Sequence, residues 1–279
     1  MAIDLHTHSA HSDGTQTPAE LLAEAAECGI EVLALTDHDT FAGWDEALEA
    51  GRRHGVRVIR GVEVSCRTDD GISVHLLGYL PDPGHAGLSS VLHEARNARD
   101  VRARRMVDLL AEDFPLTWAD VEGVAGQGAA IGRPHIADAL IKRGVVSTRE
   151  EAFEGLLAGS SPYFVPHPAP APEEAVRLVR AAGGVPVFAH PRARARGRVV
   201  GVEVMDAMTE AGLAGLEVDH RDNPEAERGW LRDYAAEHGL AVTGSSDFHG
   251  RGKPNRLGEH TTTPEMLERL LAEVRSGLE

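Results

Sequence analysis

Short apolar runs recur along the chain with helical patterns between most of them. This alternation restricts the fold more than any other feature of the sequence. The runs are AIDLHT, EVLALT (31–36), RVIRGVEVS (57–65), ISVHLLGYL (72–80), VPVFAH (185–190), GLEVDH (215–220) and AVTGSS (241–246). Each is of strand size, and the segments between them carry helix signals. In TPAELLAEAAECG, Thr17 is the cap, Pro18 fits the first turn, Glu20 completes a capping box and Gly29 stops the helix. TFAGWDEALEAGRRHG, PEEAVRLVRAAGG, NPEAERGWLRDYAAEHG and TPEMLERLLAEVRSG follow the same logic. Repeated strand–helix units predict a parallel sheet, open or closed into a barrel. At 279 residues the chain is long enough to bury such a core.

Residues 87–166 break the rhythm. A long helical pattern, GLSSVLHEARNARDVRARRMVDLLAEDF, precedes three shorter ones, and the Pro-rich SPYFVPHPAPAPEE leads back to the alternation. The expected organisation is a barrel formed by 1–86 and 167–279, interrupted by a helical insertion at 87–166 that caps the active site. Arg96, Arg99, Arg102, Arg104 and Arg105 of the long helix read as a solvated face.

The stretch DLHTHSAHSDG puts three histidines and two aspartates into eleven residues. His6 and His8 are two apart on a strand, so their imidazoles share a face and can reach one ion. Asp247 and His249 repeat that spacing after AVTGSS. His38 follows EVLALT, Glu63 ends RVIRGVEVS, His75 sits inside ISVHLLGY and His190 ends VPVFAH. Nearly all fall at the C-terminal ends of predicted strands, where parallel α/β barrels build their sites. Two cysteines, Cys28 and Cys66, exclude a disulfide framework and a Cys-rich zinc site. Cys66 has the parity of Val62 and Val64 and is expected in the core. A net charge of −16 repels nucleic acid and anionic membrane in bulk, so an anionic substrate needs a local positive source. The N-terminus has no signal-peptide pattern and no apolar run spans a membrane, which reads as a cytoplasmic protein with no obligate protein partner.

In order, DLHTHSAHSDG, TDHD, GVEVS, VHLLGY, AHP and GSSDFHG resemble the signature motifs of the PHP (polymerase and histidinol phosphatase) superfamily. IGRPHIADAL and YFVP resemble its stand-alone bacterial phosphoesterase branch, which holds nucleoside 3′,5′-bisphosphate phosphatases and 5′-3′ exoribonucleases. The resemblance implies a distorted (β/α)7, TIM-like barrel with a helical insertion and a trinuclear metal centre. It implies nine ligands: His6, His8, Asp13, His38, Glu63, His75, His190, Asp247 and His249. His6, His8, Glu63 and Asp247 would take the first metal, Glu63, His75 and His190 the second, and Asp13, His38 and His249 the third. His11 is not a family ligand position. Asp37 is expected to orient a ligand histidine.

Mixed imidazole and carboxylate donors suit Mn²⁺, Fe²⁺ or Zn²⁺. Three such ions against three carboxylates leave the pocket at about +3, the local positive source that the acidic chain lacks elsewhere. The expected step is attack on a phosphate ester by a metal-bridging hydroxide held by Glu63 and Asp247, with His190 or His249 assisting the leaving group. Arg133, His135, Arg192 and His220 are the expected substrate contacts, Arg133 foremost because guanidinium binds phosphate bidentately. Tyr163 and Phe164 read equally as base-stacking or core residues.

The leading function is removal of the 3′-phosphate from nucleoside 3′,5′-bisphosphates. Alternatives are 5′-3′ exoribonuclease action on short RNA, histidinol phosphate hydrolysis, and a metal-binding regulatory protein without turnover.

Overall fold

Every apolar run forms a strand. They are β1 (Ala2–Thr7), β2 (Ile30–Leu35), β3 (Arg57–Arg67), β4 (Ser73–Tyr79), β5 (Val185–Phe188), β6 (Gly215–Asp219) and β7 (Ala241–Gly244). The computed structural model describes residues 1–125, 131–166 and 168–278. Residues 126–130 of the expected insertion and His167 of the Pro-rich connector lie outside the described residues. The strands form one sheet in chain order, β1 to β7. Its two edges approach at one end, where a parallel bridge joins Thr7 to Phe248 and the His8 amide donates to the Phe248 carbonyl (2.9 Å). This is a barrel with an incomplete seam.

The helices between strands are α1 (Pro18–Glu27), α2 (Trp44–His54), α7 (Pro172–Ala181), α8 (Val202–Glu210) and α9 (Glu225–Glu237), with α3 to α6 in the insertion and α10 (Pro264–Leu271) after the last strand. The capping box at α1 forms: the Glu20 amide donates to Thr17 Oγ1 (3.2 Å) and the Thr17 amide to Glu20 Oε2 (2.8 Å). Ile3, Leu5, Val32, Ile59, Leu77, Tyr79, Val185 and Val187 make one buried core, joined by Leu267 and Leu270 of α10. Val62, Val64 and Cys66 fall instead in the core with Leu216, Met205 and Leu231. Cys66 thus lies where its parity predicts.

One strand departs from the sequence reading. β4 is antiparallel to both β3 and β5, whereas the other pairs are parallel. The cause is local. Thr68 to Ile72 close a tight loop, with the Gly71 amide on the Thr68 carbonyl (2.9 Å) and the Ile72 amide on Thr68 Oγ1 (2.9 Å). A loop this short permits a hairpin but no crossover helix. His75 therefore reaches the mouth from the start of its strand, not the end.

The reversal also relocates the insertion. Chain leaving β4 departs from the end opposite the mouth, so the insertion starts away from the mouth and, of its two ends, only the return reaches it. α3 (Ala86–Ala111) has 26 residues, about 39 Å at 1.5 Å per residue. Leu88 and Leu92 of α3 pack into the outer barrel core. Its Ala103, Met106, Val107 and Leu110 join Ile136, Leu140 and Leu157 in a separate core with α4 (Trp118–Glu122), α5 (Arg133–Lys142) and α6 (Arg149–Glu154). The return lies at the mouth, where the Arg67 amide donates to the Pro170 carbonyl (2.9 Å). Among the described residues no helix is long and apolar enough to cross a membrane.

Leu77 is fully buried on the strand that both halves of the sheet share. Leu77→Ala is expected to lower unfolding stability by about 2–5 kcal/mol, measured by urea denaturation of the metal-free protein. A loss under about 1 kcal/mol would show that this core can collapse around the cavity.

Candidate metal centre

The sheet delivers its donors to one place. The β1–β2 register shifts between Asp4 and Thr7. This bulge lets His6 follow Leu5 inward and re-aims the strand's end. His8 lies one step beyond β1, Glu63 and His75 come from the β3–β4 hairpin, and His38, His190, Asp247 and His249 sit on loops after β2, β5 and β7. Asp39 (φ 53°), His190 (φ 33°) and Asp247 (φ 53°) hold the left-handed conformation without being glycine. Such strain clusters where surrounding structure fixes a functional geometry.

Glu63 is the hub. Its Oε2 lies 3.3 Å from His6 Nε2, 3.1 Å from His8 Nε2 and 3.1 Å from His38 Nδ1. Its Oε1 lies 2.8 Å from His75 Nδ1 and 3.4 Å from His190 Nε2. Asp247 Oδ1 stands 3.4 Å from His6 Nε2 and 3.3 Å from His8 Nε2. Asp13 Oδ1 is 3.1 Å from His249 Nε2, and Asp13 Oδ2 is 3.8 Å from His38 Nε2. All nine expected ligands therefore converge. His8 belongs to two groups, one with His6, Glu63 and Asp247 and one with Asp13, His38 and His249. His38 also groups with Glu63 and His75. His11 remains partly exposed, 4.0 Å from Glu46, outside these groups.

The donor set fits metal ions. His38 Nδ1, His75 Nδ1 and His249 Nε2 are buried and stand beside Glu63 or Asp13 without the angles of a hydrogen bond, which suits nitrogens that share a cation with those carboxylates. His6 Nε2 and His8 Nε2 face each other at 3.1 Å, a separation two lone pairs hold only with a proton or a cation between them. The other ring nitrogens are occupied. His6 Nδ1 donates to Glu217 Oε1 (2.9 Å) and His249 Nδ1 to the Asp247 carbonyl (2.8 Å). These bonds fix the tautomers that aim Nε2 into the pocket.

The field sorts the imidazoles. Burial opposes charge on His6 and His8, but nearby carboxylates outweigh it, lifting His6 well above its ordinary value and His8 to about 9. Burial, with Lys253 and His8, pushes His249 down to about 4. Burial also lowers His38 and, together with Arg196, His190. Burial works against the carboxylates, yet imidazoles hold Glu63, and Lys253 and Arg196 hold Asp247, well below the usual range. Protons and divalent cations compete for the same nitrogens.

Other expected residues divide. Asp37 does not touch a ligand histidine. It accepts from the Ser9 amide (2.8 Å), the Ser9 hydroxyl (2.6 Å) and the Ser12 hydroxyl (2.6 Å), and Ser12 Oγ lies 3.4 Å from His8 Nδ1. Its influence on His8 passes through Ser12. His220 is fully buried beside the centre, with Nε2 3.7 Å from Asp247 Oδ2. His135 is buried, and burial lowers its pKa while Asp13 raises it. Arg133 is packed inside the insertion over Phe153 and Phe164, donating to the Leu157 carbonyl (3.2 Å). Tyr163 donates to Asp113 (2.6 Å), and both Tyr163 and Phe164 pack on the insertion core. Arg192 is corrected: it lies over Trp230, bonds the Val200 carbonyl (2.8 Å) and pairs with Glu227 (3.3 Å), away from the ligands.

Several site residues escaped sequence reasoning. Glu217, fully buried on β6, holds His6 through one oxygen and the His190 amide through the other (2.8 Å). Its signal was present, since a glutamate in the middle of an apolar strand needs a partner. Arg99 is no solvated residue: it pairs with Asp39 (2.8 Å) and also bonds Ser65. Arg102 is buried, whereas Arg104 and Arg105 are exposed. Arg196 and Lys253 both reach Asp247 Oδ2, at 2.5 and 3.0 Å.

A ring of buried imidazoles and carboxylates at the mouth of a seven-stranded α/β barrel defines a metal-dependent hydrolase. The PHP domain profile matches residues 4–161. The chain is 34% identical to a 3′,5′-nucleoside bisphosphate phosphatase of Chromobacterium violaceum, over 93% of this chain and 91% of that protein. It is 33% identical to a 5′-3′ exoribonuclease of Haemophilus influenzae, over 88% of this chain and 89% of that one. A crystal structure assigned as a metal-dependent phosphoesterase of Bifidobacterium adolescentis superposes with a TM-score of 0.94 at 43% identity, covering 98% of this chain and 96% of that one. The chain belongs to the PHP family and is a metal-dependent phosphoesterase.

Glu217→Gln keeps the shape but removes the charge that orients His6. Metal affinity is expected to fall about 10- to 100-fold, with the circular dichroism of the metal-free protein unchanged. Isothermal titration with Mn²⁺ checks this, and undiminished affinity excludes Glu217 as an orienting group.

Proposed function

We propose that the chain removes the 3′-phosphate of nucleoside 3′,5′-bisphosphates in the cytoplasm, using three divalent ions held by the nine ligands named above. The observation that carries this reading is a second positive region beside the metal ligands. Burial depresses Arg102 strongly and Arg133 to about 10, and each also feels Arg99 and Arg67. Arg99 in turn acts on His38. Arg99 is matched by Asp39, whereas Arg133 meets a carbonyl and two aromatic rings, an environment that favours an added anion beside it. A substrate with one phosphate at the metals and another among these arginines matches that charge pattern. Resemblance to the C. violaceum phosphatase supports the same substrate class.

When bound, Mn²⁺, Fe²⁺ or Zn²⁺ ions supply Lewis acidity and activate water for attack on phosphorus. The chain's own groups set the geometry. Glu63 and Asp247 lie between the candidate ligand histidines and would hold the ions there. Glu217 and Ser12 hold the His6 and His8 rings so that Nε2 faces inward. His249, low in pKa, stays neutral at pH 7 and keeps its Nε2 lone pair. The insertion, as a cap at 87–166, would bring Arg133 and His135 to the substrate's remote phosphate.

A second reading, stepwise 5′-3′ hydrolysis of short RNA, is favoured by the 33% identical exoribonuclease. Phosphate and nucleotide release from nucleoside 3′,5′-bisphosphates, short 5′-phosphorylated RNA and histidinol phosphate, with added Mn²⁺, separates the readings. The bisphosphate is expected to give the highest kcat/KM. Preference for RNA would sink the first reading, and no turnover on any ester would favour a regulatory metal protein.

Asp247→Asn is expected to abolish hydrolysis with the fold kept, because barrel stability resides in the strand cores below the mouth. Near wild-type turnover at saturating Mn²⁺ would refute the ligand assignment. Arg133→Ala is expected to raise KM about 10- to 150-fold with little change in kcat, the loss of one charge-assisted phosphate contact. A matching fall in kcat would instead put Arg133 on the reacting phosphate.

A further inference from the structure

We infer that Arg196 contacts the phosphate being cleaved, and that Asp222 and Asp247 hold it ready at the pocket's edge. The inference rests on the phosphoesterase reading and adds a residue to it.

Four arginines crowd PRARARGR, and their partners separate them. Arg192 and Arg194 pair with Glu227 (3.3 and 2.6 Å), and Arg198 pairs with Asp70 (3.1 Å). Arg196 alone of these four turns to the metal ligands. Its Nε donates to Asp222 Oδ2 (2.6 Å), its Nη2 to Asp247 Oδ2 (2.5 Å), and its Nη1 lies 3.1 Å from His190 Nε2.

Asp247 divides its oxygens. Oδ1 faces His6 and His8 at 3.4 and 3.3 Å, while Oδ2 takes both Arg196 and Lys253. On that side of the pocket Arg196 and Lys253 balance two carboxylates, Asp247 and Asp222.

The Nη1 contact is the informative one. His190 Nε2 also stands 3.4 Å from Glu63 Oε1, so its lone pair points into the ligand cluster. That lone pair serves a metal ion or the Arg196 N–H, never both. With a cation on His190, Nη1 loses its acceptor while Nε and Nη2 keep theirs. A phosphoryl oxygen against the cations supplies a new acceptor within the reach of an anchored guanidinium. Arg196 is therefore pre-positioned by two carboxylates, with one N–H edge reserved for substrate.

The test compares wild type, Arg196→Gln, Arg196→Lys and, as a control, Arg194→Gln. Calorimetry measures Mn²⁺ binding to the metal-free proteins, then inorganic phosphate binding to the Mn²⁺-loaded ones. Steady-state kinetics use a nucleoside 3′,5′-bisphosphate. Arg196→Gln is expected to weaken phosphate binding about 10- to 100-fold and lower kcat/KM at least as much. Its Mn²⁺ affinity should be unchanged or tighter, because a competitor for His190 is gone. Arg196→Lys should recover part of the phosphate affinity through its charge, and Arg194→Gln should behave as wild type. Unchanged phosphate affinity in Arg196→Gln overturns the inference. So does weakened Mn²⁺ binding with normal phosphate affinity once loaded, which would make Arg196 a positioning residue for Asp247. Wild-type protein that binds Mn²⁺ but neither binds phosphate nor hydrolyses the ester overturns the phosphoesterase reading itself, together with the inference.

Discussion

Glu63 is a fully buried carboxylate approached by five imidazoles between 2.8 and 3.4 Å. A charge so placed must be compensated within a few ångströms, because burial weakens every alternative that water would offer. The surrounding architecture answers that requirement. Imidazoles with raised pKa values, His6 and His8, can carry the compensating charge as protons when metal is absent. Those with lowered values, His38, His190 and His249, present lone pairs. A divalent cation entering the pocket therefore competes with protons for the His6 and His8 nitrogens.

Three backbone devices put the donors around Glu63. The bulge in β1 turns His6 and His8 to the interior side. The reversal of β4 lets one hairpin carry both Glu63 and His75, paired through Ser65. Left-handed residues at His190 and Asp247 turn the chain in the loops that follow β5 and β7. Each departs from ideal barrel geometry, and each lies at the mouth. The opposite end, sealed by Leu267 and Leu270 against Ile3, Leu5 and Tyr79, carries the regular packing that sustains them.

The strands were legible because periodicity reports them directly; the nine candidate ligands were named from the resemblance to the PHP motifs, with residue type and spacing marking most of them, and the fold brings all nine together. Strand direction was not legible, because an apolar run reads alike both ways. Only the shortness of the Thr68–Ile72 loop signalled a hairpin. Glu217 was overlooked although it stands two residues from Asp219 in GLEVDH, because a pair of acids on a strand has no imidazole to single it out. Arg192 and Arg196 could not be separated, since their run offers identical side chains at alternate positions. Their difference is made by Glu227 and Asp222, which no spacing connects to them. For the same reason Arg99 and Arg102 could not be told from the exposed Arg104 and Arg105.

The path of α3 bears on how the insertion acts. One helix carries Leu88 and Leu92 in the barrel's outer core and Met106 and Leu110 in the insertion's own core. Between them Arg99 ties the helix to Asp39, next to ligand His38, and to Ser65, two residues from Glu63. Asp39 also accepts from the Ser65 amide (2.8 Å) and hydroxyl (2.8 Å). Swinging the insertion as a unit would bend a continuous helix or break this buried ion pair, and removing one partner of such a pair is costly. The same guanidinium belongs to the cationic group with Arg67, Arg102 and Arg133. Arg99 braces both the loop that carries His38 and the strand that carries Glu63.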